Sequence, residues 1–487
     1  MRHPLLSCAA LRRASVAVVL AACSAGPPAP DPARPAMPRA NAASGPLDGT
    51  IDGPTGVLVF RGIPYAAPPV GELRWRPPQS PVRWTEPRSA ARLGKNCMQT
   101  QPYSDIDPYA AGMSEDCLYL NVWTPSLDAP RRPVLVWIHG GGYIAGFGGE
   151  QRHDGARLAS KGAVVVTLNY RLGAFGFLAH PAFGDDSPQH AEGNYGLLDQ
   201  IAALRWVQRN IARFGGDSTR VTIFGESAGG FSVGALVASP LARGLFQRAI
   251  LESGTGLEGA ESREAAYAQA VRLADTLHVA GVGTALAAQL RAVPAETLLA
   301  AAQRTSFSPR FVVDGWVLPR TVDSALASGA ANLVPVIVGS NGDEGDARFG
   351  APARAFARFV TRNGAHAYLY LFTRVGDDSV NRKRGAYHSA EITFVFGRPH
   401  PLLENAGRTA YDSTLADAMS DYWVAFAATG DPNGAPAAGR RPQWPLYSPR
   451  DDPYLELGPT IVARAGIKRA LYDSLDAAAR TRGLPRP

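Results

Sequence analysis

The sequence predicts an α/β domain, a central, mostly parallel sheet flanked by helices, running from about Gly45 to the end of the 487-residue chain. Two observations carry this. Short, almost continuously apolar runs recur at Val134–Ile138, Ala163–Leu168, Val221–Phe224, Arg248–Leu251 and Val334–Val338, the pattern of strands covered on both faces. Between the second and third of them, Leu197, Ile201, Leu204, Val207, Ile211 and Phe214 recur at three- and four-residue spacing, which predicts an amphipathic crossover helix between parallel strands. Neither an internal repeat nor a second Pro-rich linker interrupts the stretch, so a single domain is expected.

Taken in order, the first 22 residues read as a leader. Arg2, Arg12 and Arg13 precede the uncharged run Ala14–Ala22, which is too short to span a bilayer and ends in small residues, the organisation of a secretory signal peptide. Leu20-Ala21-Ala22-Cys23-Ser24 resembles the lipobox of bacterial lipoproteins, which implies a lipid anchor on Cys23; plain cleavage near Ala22 is the alternative. Residues 23–44 are rich in Pro and Ala and predict a semi-extended tether. The expected product is an exported bacterial lipoprotein, periplasmic or at the cell surface, whose only membrane attachment is that anchor; without lipidation it is periplasmic or secreted. With Cys8 removed and Cys23 lipidated, Cys97 and Cys117 remain. An oxidising compartment joins them, and two free thiols are the alternative.

Composition narrows the function. Hydrophobic residues make up 46% and charged residues 19%, which excludes a disordered chain. The formal charge of +7 is the difference between 49 basic and 42 acidic residues, too small an excess over this length to point to nucleic acid. No Cys/His spacing fits zinc, and neither a metal nor an organic cofactor is expected. The sequence sets no oligomeric state.

Chemistry is carried by Phe224-Gly225-Glu226-Ser227-Ala228-Gly229-Gly230, a G-x-S-x-G motif between the run ending at Phe224 and a helical stretch, Phe231–Val237. This strand–turn–helix setting is that of a nucleophile elbow, with Ser227 exposed at the carboxyl end of the sheet and glycines where a side chain would collide across the turn. A serine hydroxyl needs a base, and the base needs an orienting acid. In hydrolases with such an elbow the order is Ser, acid, His. Of His278, His366, His388 and His400, the loop setting of His388 after the strand Ala367–Phe372 favours it, whereas His366 precedes that strand and reads as structural. Gly339-Ser340-Asn341-Gly342-Asp343-Glu344-Gly345 follows the run at Val334–Val338, so Glu344 or Asp343 supplies the acid. Acyl transfer also requires donors for the developing oxyanion. His139-Gly140-Gly141-Gly142-Tyr143 follows Val134–Ile138, and the N–H groups of Gly141, Gly142 and Ala228 are the expected three. A phosphate loop is the alternative for the glycines, but no Lys-Ser/Thr pair stands at the required spacing. A further helix is predicted over Leu415–Ala428, closed by Gly430-Asp431-Pro432-Asn433-Gly434.

With these motifs together, the chain from Gly45 onward resembles the type-B carboxylesterases of the carboxylesterase and cholinesterase family, in their bacterial, para-nitrobenzyl-esterase-like form. The resemblance extends to Phe60-Arg61-Gly62-Ile63-Pro64-Tyr65-Ala66, Ser114-Glu115-Asp116-Cys117-Leu118-Tyr119-Leu120-Asn121-Val122, Asn169-Tyr170-Arg171, Gly193-Asn194-Tyr195-Gly196-Leu197, Ala386-Tyr387-His388 and Phe394-Val395-Phe396-Gly397. It implies an α/β-hydrolase fold, Ser227 as nucleophile, His388 as general base, Glu344 as acid, a Cys97–Cys117 bridge, and Ser253 supporting the acid. The implied substrates are small uncharged carboxylic esters.

Two departures stand out. The stretch from Glu344 to His388 is less than half as long as the family's, as though the helices that wall the gorge were missing, which predicts a more open site and makes Asp343 or Asp346 a possible substitute for Glu344. The segment Met98–Asp116 also lacks the tryptophan with which cholinesterases bind choline, and offers only Tyr103 and Tyr109. Two other readings of the residues are a catalytically impaired cell-surface binding protein on the same fold, and an amidase or peptidase using the same triad.

Overall fold

The apolar runs form the strands Arg132–Ile138, Val164–Leu168, Gly216–Glu226, Arg248–Glu252 and Val336–Asn341 in a computed structural model. It describes residues 37–487 except 104–105, 107–111, 129–130, 186, 188, 258–259, 378, 400–408 and 435–440. The expected signal peptide, Cys23, most of the tether, Tyr109 and His400 lie outside the described residues. Along each strand, alternate side chains enter different cores: Val134, Val136 and Ile138 the larger, Leu135 and Trp137 the smaller. Burial on both faces is why these runs lack polar alternation.

The strands are the middle of an eleven-stranded sheet. Its order is Ile461–Arg464, Tyr454–Leu457, Ala367–Phe372, Val336–Asn341, Arg248–Glu252, Gly216–Glu226, Arg132–Ile138, Val164–Leu168, Tyr119–Thr124, Leu58–Pro64, Thr50–Ile51. Pairing is parallel from Val164–Leu168 through to Tyr454–Leu457 and antiparallel at both margins. The helices Tyr195–Asn210, Ala228–Ala238 and Ala351–Arg362 cover one face, and Ala410–Thr429 covers the other with Leu415, Met419, Trp423 and Phe426. The helix Ala410–Thr429 starts five residues ahead of its predicted position because Thr409 and Asp412 form a capping box, and it stops at Gly430 (φ +83°).

The folded body begins earlier than the expected Gly45 boundary. Arg39–Ala42 pairs antiparallel with Gly45–Asp48, Ala40 and Ala42 are buried, and Arg39 Nε lies 2.6 Å from Asp48 Oδ1. Alternation written in alanine is too weakly apolar to stand out from a Pro/Ala tether.

Several residues of the family-like motifs are pins that hold the frame. Arg171 grips the buried Asp199 with Nε and Nη2, each at 2.7 Å. Asn169 accepts from the Gly148 N–H (2.8 Å) and donates to the carbonyls of Lys95 and Cys117 (3.0 and 3.2 Å), tying the bonded Cys97–Cys117 pair to the sheet.

Between Glu344 and His388 the chain makes a π-helical turn (Asp346–Gly350), the helix Ala351–Arg362, the strand Ala367–Phe372 and one short helix (Ser379–Arg384). The strand pairs directly with Val336–Asn341, so the shortened region is little more than one right-handed crossover. No helix of the described residues is long and apolar enough to cross a membrane.

Candidate active site

Ser227 sits where the strand Gly216–Glu226 turns abruptly into the helix Ala228–Ala238, with φ 54° and ψ −120°, a conformation that costs a non-glycine residue about 1–3 kcal/mol. The glycines on either side permit it. A Cβ on Gly229 would lie 2.0 Å from the Ile138 carbonyl oxygen, and one on Gly225 would lie 2.6 Å from the same atom. The Ser227 N–H donates to the Glu252 carbonyl (2.9 Å), and its carbonyl accepts from the Phe231 N–H (2.8 Å), so the turn is fixed from both sides.

The glycine loop after Arg132–Ile138 lies against this turn: a Cβ on Gly140 would come within 3.2 Å of Ser227 Cβ. Gly141 (φ +97°) and Gly142 (φ +61°) are left-handed, and the N–H groups of Gly141, Gly142 and Ala228 have no acceptor among the described residues. Gly142, Ala228 and Ser227 line one cavity of about 480 Å³. His139, which opens the loop, is a packing residue, stacked on Tyr170 at 4.4 Å. Its pKa is lowered to about 4, chiefly by burial.

Glu344 and His388 meet across the carboxyl ends of neighbouring strands. Glu344 Oε2 is 2.6 Å from His388 Nδ1, while Oε1 accepts from Ser253 Oγ (2.7 Å) and from the Asn341 N–H (2.6 Å). The two other acids weighed from sequence are engaged elsewhere. Asp343 accepts from the Ala386 N–H (2.8 Å), and Asp346 binds Lys468 Nζ and Tyr472 Oη (both 2.8 Å). His366 lies at the opposite, amino end of the strands, where its carbonyl accepts from the Val336 N–H.

His388 Nε2 lies 3.1 Å from Glu226 Oε1, and no hydrogen bond joins the ring to Ser227 among the described residues. Phe349 stacks on the ring at 4.6 Å. Burial opposes charge on this imidazole, but the Glu226 carboxylate and the Glu344 hydrogen bond outweigh it and raise the pKa to about 9. Two further glutamates stand behind. Glu252 receives Trp423 Nε1–H at 2.8 Å and is pushed up to about 8 by burial despite that bond, with the Glu226 charge adding. Glu391 receives Asn341 Nδ2–H and is raised well above the carboxylate range by burial and by the Glu226, Glu344 and Glu252 charges. Neither Glu226, Glu252 nor Glu391 had been singled out by motif reasoning. The available signals were an acid inside the elbow and another three residues after His388.

The cavity wall carries charge, whereas the resemblance implies uncharged esters. Tyr143, Phe231, Phe307 and Phe311 supply apolar surface, but Arg310 and Arg348 also line it, and no Asp or Glu does among the described residues. Arg310 lies in a loop and Arg348 in the turn Asp346–Gly350, so nothing local in the sequence marks that both line one cavity. Among the described residues no group of three or more His, Cys, Asp or Glu could hold a metal ion.

Comparison with known proteins identifies the family. Residues 36–348 and 344–474 match the Carboxylesterase family, in two stretches that overlap at 344–348. The chain is 37% identical to the fumonisin B1 esterase of Sphingopyxis macrogoltabida over 83% of its own length and 84% of that protein. It is 34% identical to the para-nitrobenzyl esterase of Bacillus subtilis (strain 168) over 82% and 91%. A solved carboxylesterase of Geobacillus stearothermophilus superposes with a TM-score of 0.79 at 34% identity, covering 90% of this chain and 99% of that one.

Proposed function

The chain belongs to the carboxylesterase family, and on that premise we propose that Ser227, His388 and Glu344 are its nucleophile, general base and orienting acid in a two-step hydrolysis of carboxylic esters. Ser227 Oγ attacks the ester carbonyl while its proton passes to His388 Nε2. The N–H groups of Gly141, Gly142 and Ala228 receive the charge on the carbonyl oxygen, each donor worth about 3–4 kcal/mol in the transition state. His388 then gives the proton to the departing alkoxide, and water repeats the attack on the acyl-enzyme, releasing the acid and restoring Ser227.

The observation that carries this reading is the buried Glu344 carboxylate 2.6 Å from His388 Nδ1 and held by two further donors. It leaves Nε2 as the nitrogen that exchanges protons on the elbow side. The approach of His388 to Ser227 belongs to the substrate-bound state, since hydrogen bonds of this kind are often long in free enzymes and tighten on binding. Names such as para-nitrobenzyl esterase and fumonisin B1 esterase among the relatives support organic esters as the substrate class. The binding-protein alternative has no observation in its favour.

The test is hydrolysis of 4-nitrophenyl butyrate by the purified protein and by Ser227→Ala. A burst of nitrophenol before steady state is expected, with a loss of at least about 10⁴-fold in the variant. A folded wild type inert towards a series of esters would refute the reading. We also propose that the mature chain is a lipoprotein anchored through Cys23; Cys23→Ala then releases it from the membrane fraction, and an unchanged distribution counts against the anchor.

A further inference from the structure

We propose that Arg310 and Arg348 form an anion subsite on the wall of the substrate cavity, and that the preferred esters carry a free carboxylate. This rests on the ester-hydrolase reading and narrows it to a substrate class.

Each arginine is placed by an aromatic neighbour that packs on the catalytic machinery. Arg348 lies in the π-helical turn Asp346–Gly350, and its guanidinium sits 5.3 Å from the ring centre of Phe349, the ring stacked on His388. Arg310 precedes Phe311, whose ring lies 5.1 Å from that of Tyr143, the residue after the oxyanion glycines. Both therefore border the cavity that contains Ser227.

Neither side chain has a hydrogen bond or an ion pair to any described residue. This sets them apart from the arginines that hold the frame, such as Arg171 on Asp199, Arg354 on Asp476 and Arg374 on Asp412. With no described acid on the wall, the cavity has an apolar lining beside the nucleophile and two solvent-exposed guanidinium forks without a described protein partner at its border. The ligand complementary to that surface is an amphiphilic ester, with a hydrocarbon segment next to the scissile carbonyl and a carboxylate further out, where a planar fork matches it with two hydrogen bonds.

Two matched pairs test this on the full-length protein. The mono-4-nitrophenyl ester of adipic acid is compared with 4-nitrophenyl hexanoate, which has the same six acyl carbons; 4-carboxyphenyl butyrate is compared with phenyl butyrate, which moves the charge to the alcohol side. The quantity read is the ratio of kcat/KM, charged over neutral, so that any change in the folded fraction cancels. In at least one pair the ratio is expected to exceed one at low salt, to fall at 0.5 M salt, and to drop about tenfold in Arg310→Gln/Arg348→Gln, from about threefold for each exposed pair. Arg310→Lys/Arg348→Lys restores part of it, because the charge returns without the fork.

Ratios below one in both pairs, or ratios that the double substitution leaves unchanged, overturn the subsite while leaving the esterase standing. A folded protein that hydrolyses none of the four esters overturns both.

Discussion

Replacing Glu226 by glutamine removes one negative charge 3.1 Å from His388 Nε2 while leaving a side chain of the same shape. The ring is about one-third open to water, so an effective dielectric of about 40 is appropriate, and Coulomb's law then gives about 3 kcal/mol for the lost attraction. At 1.36 kcal/mol per pKa unit, this lowers His388 by about two units, from about 9 to about 7. The sign is fixed by the mechanism. The base must be unprotonated to accept the Ser227 proton, so activity rises with pH through the His388 pKa. The acid limb of kcat/KM reports that value for the free enzyme. Rates on 4-nitrophenyl butyrate between pH 5 and 10, corrected for spontaneous hydrolysis, are expected to place the limb near 9 in the wild type and near 7 in Glu226→Gln. The unprotonated fraction at pH 7 then grows about fiftyfold. A limb that moves by less than half a unit, or that moves upward, would refute the claim that Glu226 holds the proton on the imidazole.

Three stability predictions follow from the frame. Gly229→Ala drives a methyl group onto the Ile138 carbonyl at 2.0 Å, and a loss of at least about 2–3 kcal/mol is expected in urea unfolding; an unchanged midpoint would contradict the close approach. Replacing Cys97 and Cys117 together by serine opens a bridge spanning 20 positions and should cost about 3 kcal/mol, read as a lower Tm under non-reducing conditions. Arg354→Met removes the fully buried guanidinium 2.8 Å from Asp476 and leaves that buried carboxylate with only the more distant Arg486 and Arg358, at 3.6 and 3.9 Å. About 3–5 kcal/mol is expected to be lost at pH 7. An unchanged urea midpoint would contradict the buried pairing.

What could be read from the sequence was what is written locally. The strands at the sheet's centre carry their two-sided burial as unbroken apolar runs, and the elbow announces itself because Gly225, Ser227 and Gly229 are confined to a single turn. Arg39–Ala42, Thr50–Ile51, Leu58–Pro64 and the hairpin Tyr454–Arg464 were not legible, since marginal strands are short, half-exposed and interrupted by residues such as Arg61 and Glu456. Glu226, Glu252 and Glu391 were hidden for a different reason: the first two end neighbouring strands and meet only through the register of the sheet, and the third precedes the short helix Ile392–Val395, brought to the same cluster by tertiary packing. Arg310 and Arg348 share that fate, since only tertiary packing brings both to the wall of one cavity. Asp343 and Glu344 could not be told apart by sequence spacing. The turn decides between them by pointing one carboxylate at the imidazole and the other at the Ala386 N–H.

That last pair of contacts closes a ring. Asn341 Nδ2 donates to the Tyr387 carbonyl (2.7 Å), the Asp343 N–H to the Ala386 carbonyl (3.1 Å), and the Ala386 N–H back to Asp343 Oδ2 (2.8 Å). The chain thus departs from Glu344 and returns to His388 through a single clasp, and whatever it does in between is an excursion anchored at both ends. Loop closure depends only weakly on length, about 0.6 kcal/mol per doubling. The length of the excursion is therefore a free variable for evolution: segments can be trimmed from it or spliced into it, reshaping the access route and the substrate range, without asking the acid and the base to find each other again.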